Sequence, residues 1–330
     1  MTDVLMIPDW RGGNPYLTRL AEGIEQAGVH VRFDDPPEGY FKLTRLLRHH
    51  RDVQAVHIHW LPPLLDNLLW SRRRTRVLAK LGLFAADILL CRAMGKRVVW
   101  TIHNLVSHES SNPIAETKAR RILLRLCHAA ITHSPEAKAE VQKTLNLDYG
   151  RKMHVIPHGH YLDDYIFNPD SYKNLRNRIG ITEDNFVILF FGNIRPYKGL
   201  EDLLDAFSKV DRPEARLVIA GRPFSDDLKT RVEEATRRDP RITADLTFIP
   251  DEDVASYFHL ADVVLLPFRR TLTSGSVILA MGFGKTLILP GAGRSLGLKP
   301  NENAFFYSTN EELRSTLRNL TKSYCQNLGK

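Results

Sequence analysis

Apolar runs of strand length alternate with segments of helical length along most of the chain. In the first half, Asp3–Pro8, Val29–Phe33, Gln54–Trp60, Arg97–Ile102, Ala129–Thr132 and Met153–Pro157 read as strands. Between them, Tyr16–Ala27, Phe41–His49, Arg76–Met94, Ala115–Leu126 and Glu136–Leu145 read as helices. A second series has strands at Phe186–Phe191, Ala215–Ala220, Leu246–Ile249, Asp262–Pro267 and Thr286–Pro290, with helices at Leu200–Val210, Asp227–Arg237, Asp251–His259, Ser276–Phe283 and Glu311–Thr321. This is the βαβ rhythm of open parallel sheets covered by helices on both faces. The stretch 158–181, rich in Asn, Asp, Tyr and Pro, breaks the rhythm. The pattern predicts an α/β protein of two Rossmann-like domains facing a central cleft: 1–160, a linker over 161–182, and 183–330. In such sheets ligands bind beyond the carboxyl ends of the strands, which places the expected site in the cleft.

Composition narrows the class. A chain of 330 residues exceeds the usual single core, and 43% hydrophobic with 25% charged residues is ordinary for a globular protein. The start carries no signal-peptide pattern, and the longest apolar stretch, Val77–Met94, is broken by Lys80, Asp87 and Arg92, which argues against a membrane span. Cys91, Cys127 and Cys325 form no disulfide or zinc spacing, so a reducing cytoplasm is expected. The net charge of +8 is concentrated, with 16 Lys and Arg against 5 Asp and Glu between 42 and 125. There Leu43, Leu46 and Leu47 interleave with Lys42, Arg45, Arg48 and Arg51, a pattern that suits an anionic lipid headgroup layer and equally a solvated helix face. No nucleic-acid-binding motif accompanies the charge, so nucleic acid is not an expected partner.

The unusual turns all follow strands. Asp9-Trp10-Arg11-Gly12-Gly13-Asn14-Pro15 reads either as a structural turn or as an acceptor-side loop, with Asn14 able to cap the next helix and Asp9 a candidate base. It lacks the G-x-G-x-x-G spacing of a dinucleotide fingerprint. His57 and His59 lie on one side of their strand; two histidines are too few for a metal site, and burial is the simpler account of His57, while His59 and Trp60 are placed to reach the cleft. The cluster Thr101–Glu109 contains His103, Asn104, His108 and Glu109, polar groups that are costly to bury unpartnered. Glu109 is the first candidate for taking a proton from an acceptor hydroxyl, and Asp9 the second. In the second half, Arg195 and Lys198 sit between Gly192 and Gly199, and Thr273-Ser274-Gly275-Ser276 opens a helix whose N–H groups and dipole attract an anion. Together these two turns predict a diphosphate site. Asp251-Glu252-Asp253 is expected to cap a helix, with Phe248, Ile249 and Pro250 bordering a nucleobase.

The segments NPYLTRL, HIHWLPP, WTIHNLVSHE, VIPHGHY, FFGNIRPYKGLEDLLDAF, the AGRP turn and LPFRRTLTSGSVILAMGFGK, in this order, resemble the GT-B glycosyltransferases over nearly the whole chain. The resemblance implies that Gly192, Arg195, Lys198 and Arg222 hold the donor diphosphate, that His103 lies near the donor sugar, and that Gly12, Gly13, Asn14, His59, Trp60, Asn104 and His158 border the acceptor. Retaining family-4-like members carry two glutamates where this chain has Thr271 and Leu279. The Ser/Gly-rich turn here is more similar to that of inverting, GDP-mannose-dependent β-mannosyltransferases of exopolysaccharide assembly. Implied in turn are a nucleotide-sugar donor, a lipid-linked saccharide acceptor, no metal or other cofactor, and a place on the inner face of the plasma membrane. A retaining enzyme and a non-catalytic nucleotide-sugar-binding subunit are the alternatives.

Overall fold

The computed structural model describes residues 2–328 apart from 13–14, 70–72, 107–111, 149, 270–271, 292, 294–297 and 301. It divides into two compact units, Met1–Gly159 and His160–Lys330.

The first unit contains β1 (Thr2–Ile7), α1 (Tyr16–Gln26), β2 (Val29–Phe33), α2 (Lys42–His49), β3 (Ala55–Ile58), α3 (Pro62–Leu69), α4 (Arg74–Ala93), β4 (Arg97–Thr101), α5 (Pro113–Leu126), β5 (Ala129–Thr132), α6 (Pro135–Leu145) and β6 (Met153–Val155). Its strands form one six-stranded parallel sheet in the order β2-β1-β3-β4-β5-β6. Ile7 pairs with Ile58, Ile58 with Trp100, and Thr101 with Ile131, so the central strands finish nearly level. His59, Ile102 and His133 therefore step off the sheet side by side. Strands buried on both faces cannot alternate polar with apolar, which is why the sequence shows them as continuous Val, Ile and Leu runs.

The second unit begins with α7 (Pro169–Arg178), followed by β7 (Phe186–Phe191), α8 (Leu200–Ser208), β8 (Ala215–Ala220), α9 (Asp226–Arg238), β9 (Ile242–Asp245), α10 (Asp251–Leu260), β10 (Val263–Leu265), α11 (Gly275–Gly282), β11 (Thr286–Pro290), β12 (Ala304–Tyr307), α12 (Asn310–Asn319) and α13 (Lys322–Leu328). Its parallel sheet runs β12-β11-β10-β7-β8-β9. The turn-bearing strands β7 and β10 are neighbours. Two Rossmann-like halves, each with a six-stranded parallel sheet, make up the chain.

Several expectations are corrected. The third strand of the second half lies at Ile242–Asp245, not 246–249: Leu217 pairs with Ile242 and Ala220 with Asp245, and the chain then leaves the sheet with Phe248 exposed. The segment expected to be a linker carries α7, which packs against α10 within the second unit. Asn168 starts it, its side chain accepting from Asp170 N at 2.9 Å and Ser171 N at 3.3 Å ahead of Pro169. Pro15 occupies the cap position of α1 without a side-chain cap; Asn14 and Gly13 fall outside the described residues. Pro250 holds the corresponding position at α10, so Asp251, Glu252 and Asp253 lie in its first turn, where they oppose the helix dipole rather than cap it.

The leucines of α2 do not face a membrane. Leu43, Leu46 and Leu47 are buried, as is Lys42, whose Nζ donates to Pro63 O at 2.6 Å. Asp87 of α4 accepts from Leu43 N at 2.9 Å, Thr44 N at 2.8 Å and Thr44 Oγ1 at 2.6 Å, supplying from a neighbouring helix the cap that Phe41 cannot. The basic amphipathic pattern of α2 is therefore a packing pattern with a solvated cationic edge.

Candidate functional site

Each unit gathers its chemistry at the carboxyl ends of its strands. In the second unit β7 ends at Phe191, and Gly192 turns with φ 103°, a conformation that L side chains rarely adopt. A Cβ on Gly192 would meet Ser276 Oγ at 2.8 Å and Lys198 Nζ at 3.0 Å, so the two predicted turns converge on one glycine. Gly199, at φ 67°, leaves no room for a Cβ beside Pro267 O, and Gly221 leaves none beside Gly192 O. Close backbone approach at these positions lets the loops after β7, β8 and β10 nest together.

Pro196–Lys198 forms a single 3-10 turn that carries Lys198 inward. Its residue surface is only 7% exposed, and its ammonium lies 6.0 Å from the Phe190 ring centre and 5.9 Å from that of Phe268. Among the described residues no carboxylate pairs with it. Burial, reinforced by repulsion from Arg195, pushes its pKa down to about 8. Arg195 lies over the Phe224 ring, 4.9 Å from its centre. Ser274 caps α11, its Oγ accepting from Val277 N at 3.4 Å, which leaves Gly275 and Ser276 as the first helical residues beside Lys198. Thr273 is half-buried just before this cap. A buried cation facing a helix start is an anion-binding arrangement.

The remaining donor-side expectations are less concentrated. Arg222 is exposed, its carbonyl accepting from Ile194 N at 2.9 Å. Ile249 is buried and Phe248 exposed. Leu279 sits on the buried face of α11 and Thr271 lies outside the described residues.

In the first unit a cluster of rings covers the ends of β3, β4 and β5. His59 Nδ1 and His103 Nε2 are 3.3 Å apart, so one donates to the other, and Trp60 stacks on His103 with ring centres 4.9 Å apart and 16° between planes. Tyr16, from α1, packs its ring 5.1 Å from His103 and 4.5 Å from His158, and its hydroxyl bonds Thr101. Thr101 also meets His57 Nε2 at 2.8 Å. His133 completes the cluster, 5.3 Å from His103 and 4.8 Å from His158. Ile156 O can only accept, so His133 Nδ1, 3.0 Å away, carries the proton and Nε2 presents a lone pair. Among the described residues, that Nε2 and His59 Nε2 are buried without a hydrogen-bond partner.

Burial holds these imidazoles neutral. His57 and His158 are pushed down to about 4, and His59 and His103 fall well below their ordinary range, mutual repulsion adding to desolvation. His59, expected to reach the cleft, is instead buried, and Trp60 is the half-exposed member. Asn104 stands at the edge, its carbonyl accepting from Arg120 Nη1 at 2.6 Å. Arg120 is itself paired with buried Glu116, Nη2 to Oε1 at 2.6 Å, so α5 braces the loop after β4. Neutral rings and orphaned nitrogens suit a carbohydrate, which offers C–H faces and hydroxyls. Among the described residues no group of three His, Cys, Asp or Glu side chains is placed to hold a metal.

The two candidate bases fare differently. Asp9 is clasped by Arg11, Oδ1 to Nε and Oδ2 to Nη2, both at 2.7 Å. That hydrogen bonding lowers its pKa, which makes it a weaker base. Glu109 lies outside the described residues. Gly12 is exposed with open space around its Cα. Tyr16, His133 and Phe268 were missed from sequence; their only signal was position just beyond a strand or opening a helix.

Two family models match the chain: Glycosyltransferase Family 4 over 10–164 and Glycosyl transferases group 1 over 185–322. The chain is 30% identical over 277 residues to the GDP-mannose:glycolipid 4-beta-D-mannosyltransferase of Xanthomonas campestris pv. campestris, covering 84% of this chain and 70% of that protein. Among solved structures it is similar to Anabaena Alr3699/HepE in complex with UDP, at TM-score 0.70 and 14% identity, covering 100% of this chain and 93% of that one. It is also similar to the sucrose-phosphate synthase of Thermosynechococcus elongatus, at TM-score 0.76 and 16% identity, covering 100% and 92%. At these identities the structures speak for the fold alone.

Proposed function

Because the chain belongs to the glycosyltransferases of the family 4 and group 1 type, which share the GT-B fold, we propose that it moves mannose from GDP-mannose, with inversion, onto a lipid-linked saccharide in exopolysaccharide assembly. The observation that carries the donor half is Lys198, a buried cation without a carboxylate partner among the described residues, set against Gly192 and the start of α11. Such a charge is stabilised when an anion arrives, and the anion a sugar nucleotide brings is its diphosphate. The UDP complex of HepE supports a nucleotide in a fold of this kind.

In the reaction an acceptor hydroxyl oxygen attacks the anomeric carbon while the bond to the diphosphate breaks. The diphosphate leaves with the bonding electrons, and a base on the acceptor side takes the hydroxyl proton. Lys198, Arg195 and the N–H groups of Gly275 and Ser276 stabilise the leaving charge, each well-placed donor contributing about 3 kcal/mol. Glu109 is the proposed base, since the Arg11 clasp removes Asp9 from contention. Neutral His103, Trp60 and His133 line the acceptor side. Buried Leu279 supports inversion, because no carboxylate stands at that position. Neither metal nor cofactor enters this scheme, and an amphiphilic acceptor places the work at a bilayer facing the cytoplasmic nucleotide pool.

The test is purified protein with GDP-mannose or UDP-glucose and a polyprenyl-diphosphate-linked oligosaccharide, the product's anomeric configuration read by NMR. A β-mannoside that disappears with Lys198→Met supports the proposal. An α-linked product, or turnover unaltered by Lys198→Met, overturns it, and nucleotide binding without turnover assigns the chain to a binding subunit.

A further inference from the structure

Strands β1 and β3 are neighbours that end level, Ile7 opposite Ile58, so the residues that follow them meet above the same edge of the sheet. Trp10 comes from the first of these ends and Trp60 from the second, and their rings stack with centres 5.1 Å apart and 28° between planes. Trp60 stacks on His103 as well, so Trp10 is the outer ring of a ladder that begins inside the histidine cluster. Trp10 is 44% exposed. The loop that presents it is held from three directions. Asp9 N donates to Asp35 Oδ1 at 3.1 Å, Trp10 N donates to Pro8 O at 3.1 Å, and the Arg11 guanidinium, clasping Asp9, lies 4.2 Å from the centre of the Phe33 ring. A large apolar ring is thus presented to solvent from a braced backbone. Covering its open surface stabilises whatever covers it.

The neighbours of Trp10 select the occupant. Asp9 and Arg11, on either side of it in sequence, have side chains 29% and 47% exposed. Their clasp uses only part of the guanidinium's N–H fork and of the carboxylate's lone pairs, so donors and acceptors remain next to the aromatic surface. Asp9–Gly12 contains no aliphatic side chain, and a Cβ on Gly12 would meet nothing within 4 Å. A lipid chain would find one ring and then charge. A pyranose answers both demands: its axial C–H bonds form an apolar face that lies on an indole, and its equatorial hydroxyls project sideways toward a carboxylate and a guanidinium. Trp60 separates Trp10 from the histidines, so a sugar on Trp10 is a second sugar, distinct from one received by the histidine cluster.

We propose that the exposed face of Trp10 is a saccharide subsite that holds a second pyranose of the acceptor, so that the protein selects an oligosaccharide over a single sugar on its carrier. This deepens the saccharide-acceptor reading and rests on it. Its test uses neither donor nor turnover: a saccharide that binds at Trp10 of a protein that transfers no mannose would keep the subsite and remove the donor reading. Full-length protein with nitrogen-15 in its tryptophans is titrated with cellobiose, maltose, lactose and mannobiose, and separately with glucose and mannose. The indole N–H signals are followed by NMR, that of Trp10 being the one lost in Trp10→Phe. The Trp10 signal is expected to move with at least one disaccharide, which should bind at least about threefold tighter than either monosaccharide. Trp10→Leu keeps apolar bulk and loses the aromatic face; read from the Trp60 signal, it should weaken disaccharide binding about tenfold. Tyr40→Ala, which removes another exposed aromatic ring of the first unit, should leave binding unchanged. Should Trp10→Leu misfold, the Trp10 signal of the wild type carries the test by itself. A Trp10 signal that no disaccharide moves, equal affinity for monosaccharides and disaccharides, or wild-type binding by Trp10→Leu overturns the proposal. So does a signal that moves only with guanosine or decanoate, which would give the ring to a base or a lipid chain.

Discussion

A lysine ammonium removed from water costs several kcal/mol unless an opposite charge compensates, and at Lys198 the strain is visible as a pKa pushed down to about 8. Lys198→Met should therefore stabilise the free protein, by about 2 kcal/mol, while abolishing nucleotide binding. Denaturant unfolding and calorimetry with GDP read the two effects separately; a variant that binds normally would show that the cation serves packing instead. The sign of the pH dependence follows. Between about 8 and the ordinary lysine value of 10.5, the unfolded chain holds a proton that the folded one has released, so this group makes the fold more stable as pH rises through that window. Nucleotide affinity runs the other way and declines above about 8, as the binding charge is lost. On the acceptor side, Glu109→Gln is expected to lower turnover about a hundredfold or more, and Asp9→Asn to change it little, measured as initial rates at saturating donor. Gly192, Lys198 and Ser276 were legible because glycines and cations after an apolar run are visible without a structure. Tyr16 and His133 were not, because only parallel pairing brings chain positions 16, 101 and 133 to one end of a sheet.

Among the elements, the close-packed turns make a sharp internal comparison. Gly199 combines positive φ with a Cβ direction that runs into Pro267 O, whereas Gly12 is surrounded by open space. Gly199→Ala should cost more than about 2 kcal/mol and Gly12→Ala less than about 0.5, read from urea midpoints. Glu116→Ala strands a buried guanidinium and should cost about 3–5 kcal/mol, loosening the loop that carries His103 and Asn104. Central strands were readable from their Val, Ile and Leu runs. β9 was misplaced by four residues because LTFI is more apolar than ITAD, while pairing with β8 chose the latter. α7 was hidden in a polar stretch: Leu175 is its one buried side chain, too little to print a helical period. In α2 the pattern was read correctly as amphipathic, but sequence does not say whether leucines turn toward lipid or toward a neighbouring helix.

For the molecule as a whole, the histidines are unevenly shared: 11 of the 13 lie in the first unit, as do all four tryptophans, Trp10, Trp60, Trp70 and Trp100. A histidine held neutral in the fold and free to protonate when unfolded destabilises the fold as pH drops from about 6.5 toward its folded value. For His57 alone that amounts to about 3 kcal/mol by pH 4. Acid titration should thus shift tryptophan emission before half of the helical circular dichroism is lost; simultaneous loss would contradict independent titration of the units. The ring cluster and Lys198 then bound the working range from opposite ends. Under the proposed function, an activity profile against pH should be bell-shaped, its acid shoulder set by the ring cluster of the first unit and its alkaline shoulder by Lys198 of the second. A single enzyme would then carry two pH limits of different chemical origin, one written in imidazoles and the other in one lysine.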